Sequence, residues 1–353
     1  MYPLKEIFVY KLMILGFSLG LVTSTLAADF QTTETLAEQE IASAQNEVAD
    51  MYYDSASQYY SGIERLSLFK QAFDLYQKAA NQGNAEAQYS LGYMYDYGKG
   101  VIKNPVEAIR WYQKAADQGD VSAQTSLGFK YYYAEDIAQD YRKAFELYKK
   151  AAEQGSASAQ DSLGTMYHKG QSVKQDYSKA IDWYRKSADQ GYVGAQASLA
   201  GMYKRGEGVK QDYIAALKWY KKIIEAEEDS RSAALAQYNI GQLYFYGHGV
   251  KQDYSKAMDW YRKSADQGFD MAQHSVGQMY FYGHGVEQDY VKSIEWDRKA
   301  ARQNNGLAQF NLGVMYHGGR GVRYSLFEAR EWYGKACDSG IQEGCDRYRA
   351  LSQ

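Results

Sequence analysis

The chain contains very little proline and cysteine: among its 353 residues there are two prolines, Pro3 and Pro105, and two cysteines. Because proline interrupts helices, so low a content is typical of a chain built of helices and tight turns. Basic residues form no run, and the formal net charge is −3. The sequence therefore lacks the electrostatic footprint of a nucleic-acid-binding protein, and we expect no nucleic-acid partner.

Long apolar runs are also absent, apart from a shorter segment near the N-terminus. Two lysines precede this segment, which extends from Leu12 to Val22, and small residues follow at Thr25 and Ala27. These features predict a secretory signal peptide at residues 1–27, removed on export. An uncleaved anchor is the alternative, but the apolar segment is shorter than the roughly 20 residues that span a bilayer. We therefore expect export without stable membrane insertion after the signal is removed.

A repeated phrase around tryptophan is the dominant feature of the remaining chain. Intervals of 36 or 72 residues, and one interval of 41, separate successive tryptophans: Trp111, Trp183, Trp219, Trp260, Trp296 and Trp332. A period of this size is the signature of a helical repeat array. We place about eight repeats over residues 41–340, after an N-terminal linker at 28–40. The longer repeat, 192–232, contains the five additional residues.

Each repeat is expected to form an antiparallel helix pair. In the repeat at 84–119, Ala87, Leu91 and Tyr95 follow one another at intervals of four residues, which predicts an apolar stripe along a first helix. Asparagine or aspartate stands where the second helix should begin, and a glycine stands where it should end. The sequence therefore predicts an all-α fold.

Glycines also recur inside the predicted first helices, at Gly92, Gly128, Gly164, Gly241, Gly277 and Gly313. Glycine costs roughly 1 kcal/mol relative to alanine inside a helix, so close packing should offset this cost. We expect the bulky Trp-Tyr pair of the second helix to approach these glycines. Alanine, at Ala200, replaces glycine in one repeat.

The segment AEAQYSLGYMYDYGKGVIKNPVEAIRWYQKAADQG, residues 85–119, resembles the Sel1-like repeat family, which is related to the tetratricopeptide repeats. The resemblance covers about residues 41–340. It implies a right-handed superhelical solenoid that acts as an adaptor or scaffold, in bacteria often in the cell envelope or at a host interface. The repeat at 120–155 departs from the pattern, because Ala134 and Asp136 replace the loop glycines, which leaves its loop geometry open.

The C-terminal phrase KACDSGIQEGC, residues 335–345, resembles the disulfide-bearing repeats of the Helicobacter cysteine-rich family. This resemblance implies a disulfide between Cys337 and Cys345 that joins consecutive helices, and it fits export to an oxidising compartment. We expect the disulfide to hold a C-terminal capping helix at 341–353. A redox-active pair is the alternative, although the chain has no CxxC motif.

The sequence contains few motifs that are typical of metal-binding or catalytic sites. His248 and His284 recur in the same loop phrase and could form a two-ligand metal site, but inherited repetition explains them without a third ligand. The SxxK spacing of Ser67 and Lys70 matches penicillin-recognising enzymes, and members of the cysteine-rich family are linked to β-lactams. Neither SDN nor KTG occurs in the chain. We therefore expect no catalysis, cofactor or metal, with a β-lactam-recognising envelope enzyme as the alternative.

Aromatic side chains opposite the apolar stripe are the candidate binding residues. In tetratricopeptide-like stacks the first helices line the concave wall, where such rings can anchor a protein or peptide ligand. The alternative is burial between neighbouring repeats. The candidate residues are Tyr89, Tyr93, Phe129, Tyr238, His274 and Phe310. The sequence thus predicts a periplasmic or secreted scaffold of a Gram-negative bacterium, with glycan or peptidoglycan binding as a further alternative.

Overall fold

A computed structural model describes the chain at residues 33–34, 36–37, 41–58 and 61–353. The predicted signal peptide lies outside these described residues, as does most of the predicted linker. Within the described ranges every regular element is an α helix, which confirms the predicted fold class. No helix in this part of the chain combines the length and the apolar character needed to cross a bilayer.

The chain divides into two compact units, an N-terminal unit that ends at Gln175 and a C-terminal unit that begins at Asp176. Consecutive helices pack against each other within each unit. Up to α16, odd numbers mark the first helices of the repeats and even numbers mark the second helices. The helices are α1 (Ala42–Gln58), α2 (Gly62–Asn81), α3 (Ala85–Tyr97), α4 (Pro105–Asp117), α5 (Val121–Tyr133), α6 (Tyr141–Glu153), α7 (Ala157–Lys169), α8 (Tyr177–Asp189), α9 (Val193–Arg205), α10 (Tyr213–Ala226), α11 (Arg231–Tyr246), α12 (Tyr254–Asp266), α13 (Asp270–Tyr282), α14 (Tyr290–Ala301), α15 (Gly306–Gly318), α16 (Leu326–Asp338) and α17 (Gln342–Ala350).

Side-chain caps begin the second helices where the sequence predicts them. Asp140 accepts hydrogen bonds from the backbone N–H groups of Arg142 and Lys143, both at 3.0 Å. Asn104 caps α4 in the same way, and Pro105 occupies the first helical position, where its missing N–H is not needed. The same cap recurs at Asp176, Asp212, Asp253 and Asp289.

The loops between paired helices require two residues with positive φ. In the repeat at 84–119 these are Gly98 and Gly100, with φ of 66° and 68°. A Cβ added at Gly100 would lie 2.4 Å from the carbonyl oxygen of Phe69, so this loop packs directly on the preceding second helix. Ala134 and Asp136 adopt φ of 58° and 61° in the next repeat. The loop of this repeat therefore keeps the geometry of the glycine-containing loops, although two non-glycine residues must adopt left-handed conformations.

Four glycines inside the first helices, Gly92, Gly128, Gly241 and Gly313, make room for the tyrosine of the second helix and not for the residue before it, whereas Gly277 lies against Asp297. A Cβ added at Gly92 would lie 2.8 Å from Cδ1 of Tyr112, and one added at Gly241 would lie 2.5 Å from Cδ1 of Tyr261. Our expectation was thus correct about close packing but too broad about its partner. Adjacent positions on a helix point about 100° apart, so one face cannot present both rings to the same glycine.

The tryptophans lie beside the contact between glycine and tyrosine, and most of them are less buried than core residues. Trp111 is buried, whereas the other five are half-buried. Each carries a lysine ammonium over its ring at 3.8–4.6 Å from the ring centroid, three residues further along the helix: Lys114, Lys186, Lys222, Lys263, Lys299 and Lys335. Such cation–π contacts are worth about 0.5–1 kcal/mol at exposed sites and shield the outer side of the indole.

A buried glutamine near the start of each first helix ties successive helices together. Gln88 Nε2 donates to the carbonyl oxygen of Ala80 at 3.1 Å, while its Oε1 accepts from Gln118 Nε2 at 2.8 Å. We call this recurring arrangement the glutamine ladder. The long repeat interrupts it, because Ala226 stands where the second glutamine should be, and Gln196 Oε1 is buried without a hydrogen-bond partner.

The last helix, α17, is joined to α16 by the predicted disulfide. Cys337 and Cys345 are bonded, with their Cα atoms 4.5 Å apart. A Cβ added at Gly344 would lie 2.9 Å from Cβ of Ala336, so the two helices approach closely at this point. The pairing implied by the sequence resemblance is therefore present.

Candidate functional site

Three of the six candidate binding residues come together in the N-terminal unit. Tyr89, Tyr93 and Phe129 line a cavity of about 290 Å³ between the first helices α3 and α5. A second cavity of about 280 Å³ lies on the other side of Tyr89 and Tyr93 and is lined by Tyr53. We call the surface formed by Tyr53, Tyr89, Tyr93, Tyr97 and Phe129 the aromatic cleft.

The rings of the aromatic cleft support one another while leaving apolar area accessible. Tyr93 packs against Tyr97, with centroids 4.4 Å apart, and against Tyr53 at 6.2 Å. Tyr97 is 60% exposed and Phe129 is 46% exposed. Large aromatic groups that are both rigid and accessible are typical anchors of protein interfaces, because they lose little conformational entropy on binding.

A buried ion pair forms the floor of the cavity between α3 and α5. Lys130 Nζ lies 2.9 Å from Asp96 Oδ1 and 3.4 Å from Asp136 Oδ2, and the Lys130 side chain is only 3% exposed. The hydroxyl of Tyr112 donates to Asp96 Oδ2 at 3.3 Å. Burial alone would lower the pKa of Lys130, but the hydrogen bond and charge of Asp96 raise it above its ordinary value. Lys130 therefore stays charged and holds α3 and α5 together.

Lys130 and Asp96 were not candidates in the sequence, although a signal for Lys130 was present. Lys130 occupies the position that methionine fills in the apolar stripes of the neighbouring repeats, at Met94 and Met166. A lysine in a buried stripe requires a carboxylate partner. The identity of that partner depends on how neighbouring first helices meet, which the repeat pattern alone does not specify.

A second carboxylate lies at the far end of the aromatic cleft. Asp50 Oδ1 accepts a hydrogen bond of 2.5 Å from the hydroxyl of Tyr76, and its Oδ2 accepts one of 3.2 Å from Asn46. Burial raises the pKa of Asp50, and the Tyr76 hydrogen bond opposes this shift. Burial also raises the pKa of Tyr89, so this side chain remains neutral near physiological pH.

The other three candidate residues contact the second helices of their own repeats in the C-terminal unit. Tyr238 is only 9% exposed and packs on Tyr261, with ring centroids 5.7 Å apart. Phe310 is half-buried and packs on Tyr333 at 5.5 Å. His274 is half-buried and bonds to a second-helix aspartate. The structure thus does not gather these three into one surface.

His274 contacts a buried polar cluster that occupies the place of the second-helix tyrosine found in other repeats. Asp297 replaces the tyrosine that follows tryptophan in the other repeats, and its side chain is completely buried. His274 Nδ1 lies 2.7 Å from Asp297 Oδ1, and Asn311 Nδ2 donates to Asp297 Oδ2. Burial raises the pKa of Asp297, while His274 and Asn311 lower it. Both carboxylate oxygens of Asp297 therefore have hydrogen-bond partners, as buried polar atoms require. The cluster thus has a structural role.

His248 and His284 are stacked on tyrosines. His248 lies over Tyr213, with centroids 4.7 Å apart and planes inclined by 16°, and His284 lies over Tyr254 in the same manner. In the described part of the chain, no three histidine, cysteine or carboxylate side chains are placed to hold a metal ion. Ring stacking between consecutive repeats accounts for the repeated histidine.

Ser67 and Lys70 both lie on α2. The ammonium group of Lys70 is 2.6 Å from Asp74 Oδ1, and Ser67 Oγ accepts from Gln71 Nε2 at 3.4 Å. Lys70 is exposed. An activating base must lie within hydrogen-bond reach of its nucleophile, and here the lysine is engaged by a carboxylate.

Comparison with known protein families identifies the same repeated helix pairs. The model of the Sel1 repeat matches residues 42–84, 85–120, 121–156, 157–192, 193–227, 234–269, 270–305 and 306–341. Among curated proteins, no significant match to this sequence is found.

Two solved structures share the fold over most of the chain. One is c5321, a protective antigen present in uropathogenic Escherichia coli strains that displays an SLR fold. It is 33% identical with a TM-score of 0.77, and the match covers 91% of this chain and 67% of that one. The other is a Sel1 repeat protein from Oxalobacter formigenes, 30% identical with a TM-score of 0.67, where the match covers 91% of this chain and 89% of that one.

Proposed function

Because the chain belongs to the Sel1-repeat family, we propose that it is an exported scaffold that binds a protein or peptide partner and catalyses no reaction. We place the partner on the surface formed by the first helices of the repeats. Export is supported by the predicted signal peptide, and the disulfide is compatible with an extracytoplasmic location, periplasmic or secreted. The aromatic cleft is the single observation that carries the binding proposal.

The side chains around the aromatic cleft favour a partner segment with cationic and apolar groups. Three carboxylates, those of Asp50, Asp96 and Glu135, line the two cavities together with one ammonium group, that of Lys130. Lysine or arginine side chains bind well against tyrosine rings beside carboxylates, because ring faces and carboxylates both attract positive charge. Apolar side chains of the partner would cover the exposed edges of Tyr97 and Phe129.

The experiment compares partner capture by the disulfide-intact chain and by a variant of the aromatic cleft. In Tyr97→Ser/Phe129→Ser, the two most exposed rings of the cleft are removed without opening the helix core. Proteins cross-linked to each form in the native cell envelope are identified by mass spectrometry. Loss of an interface aromatic anchor typically costs more than about 1 kcal/mol, so a specific partner should be depleted several-fold with the variant.

A matched control removes one tyrosine and one phenylalanine from another exposed surface. Tyr324 and Phe327 are 57% and 67% exposed, and neither lines the aromatic cleft. Tyr324→Ser/Phe327→Ser should retain the partner. Equal capture by the wild type and the cleft variant would contradict the proposal.

The same purified chain separates the two alternatives to protein binding. Acylation by labelled penicillin would indicate a β-lactam-recognising enzyme, which the engagement of Lys70 by Asp74 does not favour. Retention on isolated cell wall that depends on Tyr97 and Phe129 would indicate a glycan ligand.

A further inference from the structure

A cavity of about 320 Å³ lies in the C-terminal unit between the first helices α9 and α11. It exists because Ala197 and Gly201 stand where the repeat at 84–119 carries Tyr89 and Tyr93. The long repeat contributes as well: α11 has 16 residues, compared with 13 in α9 and α13, and Ser232 of its added turn lines the cavity. Small side chains and an extended helix thus leave a gap where the repeat at 84–119 places aromatic rings.

The ammonium group of Lys204 lines this cavity and is held by two amides. Lys204 Nζ donates to Asn239 Oδ1 at 2.9 Å and to Gln242 Oε1 at 2.8 Å. Both amide nitrogens donate elsewhere, Asn239 to the carbonyl oxygen of Leu235 and Gln242 to the hydroxyl of Tyr238. The amide oxygens are therefore fixed toward the lysine. An ammonium group has three donors, so one remains for a ligand.

The positive charge of Lys204 is contacted by the two amide oxygens. Among the described residues, no carboxylate forms an ion pair with it, in contrast to Lys130 in the N-terminal unit. Burial and the neighbouring charge of Arg205 both lower the pKa of Lys204. A half-buried cation with only neutral partners is costly to the fold, and an incoming anion would offset that cost.

Arg205 also lines the cavity, and its guanidinium is already paired with a carboxylate. Its Nε and Nη2 bind Glu207 at 2.6 and 2.9 Å. Its Nη1 lies over Gly201, 3.0 Å from where a Cβ would stand. Nη1 of Arg205 thus faces Gly201, on the side of the cavity that small residues line.

The remaining lining of the cavity is apolar. Ile223 and Ala236 are buried, whereas Leu235 is 43% exposed. We propose that this cavity binds a carboxylate group of a polypeptide, with the carboxylate on Lys204 and an adjacent apolar side chain against Ile223 and Leu235. The carboxylate is either the end of a chain or an acidic side chain. This site lies outside the aromatic cleft, and the proposal does not depend on the function of that cleft.

The test uses methyl NMR of the full chain, with the shifts of Ile223 and Leu235 as reporters. The first probe is a short glycine-serine peptide that ends in leucine with a free carboxylate, and the second is the same peptide with a terminal amide. The third is an amidated peptide with an aspartate before the leucine. Saturable shifts with the first or third probe, absent with the second, are the expected result, and they tell the two carboxylate sources apart.

Two variants connect the shifts to the cavity. Lys204→Met removes the charge but keeps most of the apolar stem, and should weaken binding roughly tenfold or more, as expected for loss of a charge-assisted hydrogen bond. Ala197→Leu fills the gap and should weaken binding while Lys204 remains. Lys210→Met, at an exposed lysine of the following loop, is the matched control and should bind like the wild type. Circular dichroism verifies that each variant is folded.

Several results would overturn the proposal. Equal binding of the amidated peptide without aspartate would show that no carboxylate is recognised. Unchanged affinity in Lys204→Met would assign the shifts to another surface. Shifts produced by inorganic phosphate, with none from any peptide, would identify the cavity as a phosphate site instead.

Discussion

Replacing Gly241 by alanine should destabilise the protein, although alanine is the better helix former. An added Cβ would lie 2.5 Å from Cδ1 and 2.6 Å from Cε1 of Tyr261, whereas carbon atoms normally pack at about 3.5–4.0 Å. The ring must therefore move by about 1 Å. Tyr261 is only 4% exposed and is enclosed by Tyr238 and Phe245, so this movement disturbs further rings.

The magnitude follows from two opposing terms. Overpacking of this kind costs about 1–3 kcal/mol. Alanine regains about 1 kcal/mol of helix propensity. We expect a net loss of about 1 kcal/mol for Gly241→Ala.

A matched glycine provides the control. A Cβ at Gly201 meets only the end of the flexible Arg205 side chain, so Gly201→Ala should be stabilising by up to about 1 kcal/mol. The two variants should differ by about 2 kcal/mol in urea unfolding followed by far-UV circular dichroism. Shortening the opposing ring, as Tyr261→Leu, should reduce the penalty of Gly241→Ala in a double-mutant cycle. Equal stabilisation by both alanines would refute the steric explanation of the helical glycines.

Three further predictions concern isolated features of the fold. Burial raises the pKa of Asp161 from 3.8 to about 6, and its Oδ1 has no hydrogen-bond partner, so stability should fall as pH rises through this range. Asp161→Asn should therefore stabilise by about 2 kcal/mol at pH 8 and give no gain near pH 4, as measured by urea unfolding at both pH values. Ala226→Gln should supply the missing donor to Gln196 and stabilise by about 1 kcal/mol, and an unchanged urea midpoint would contradict this. Cys337→Ser should cost roughly 2–3 kcal/mol by freeing the loop to Cys345. Amide hydrogen exchange should then increase first in α17, and an equal increase in α16 and α17 would argue against a capping role.

The sequence was sufficient to predict the helix pairs, because their stops are local. Caps such as Asp140 act within three residues of their own position, and the period of 36 residues repeats them. Even Ala134 preserved its loop, since the surrounding turn imposes the positive φ that glycine elsewhere adopts easily.

The candidate site was predicted less completely, because exposure depends on neighbours in other repeats. Tyr89 and Tyr238 occupy equivalent positions, yet only Tyr89 lines the cleft, while Tyr238 is buried beside Phe269. The cavity at Lys204 could not be recognised either, since it results from small residues on one helix and added length on the next. Repeats predict the backbone well, but the surface reflects each repeat's individual substitutions.

The glutamine ladder makes one repeat interchangeable with another. Most repeats present the same donor to the preceding helix and the same acceptor within themselves, as Gln88 and Gln273 do, and the long repeat with Ala226 is the exception. A gene duplication or deletion of a whole period would therefore rejoin matching hydrogen bonds at the new junction. The number of repeats can change in evolution without redesign of the interface, and the binding surface can lengthen or shorten independently of the residues that give it specificity.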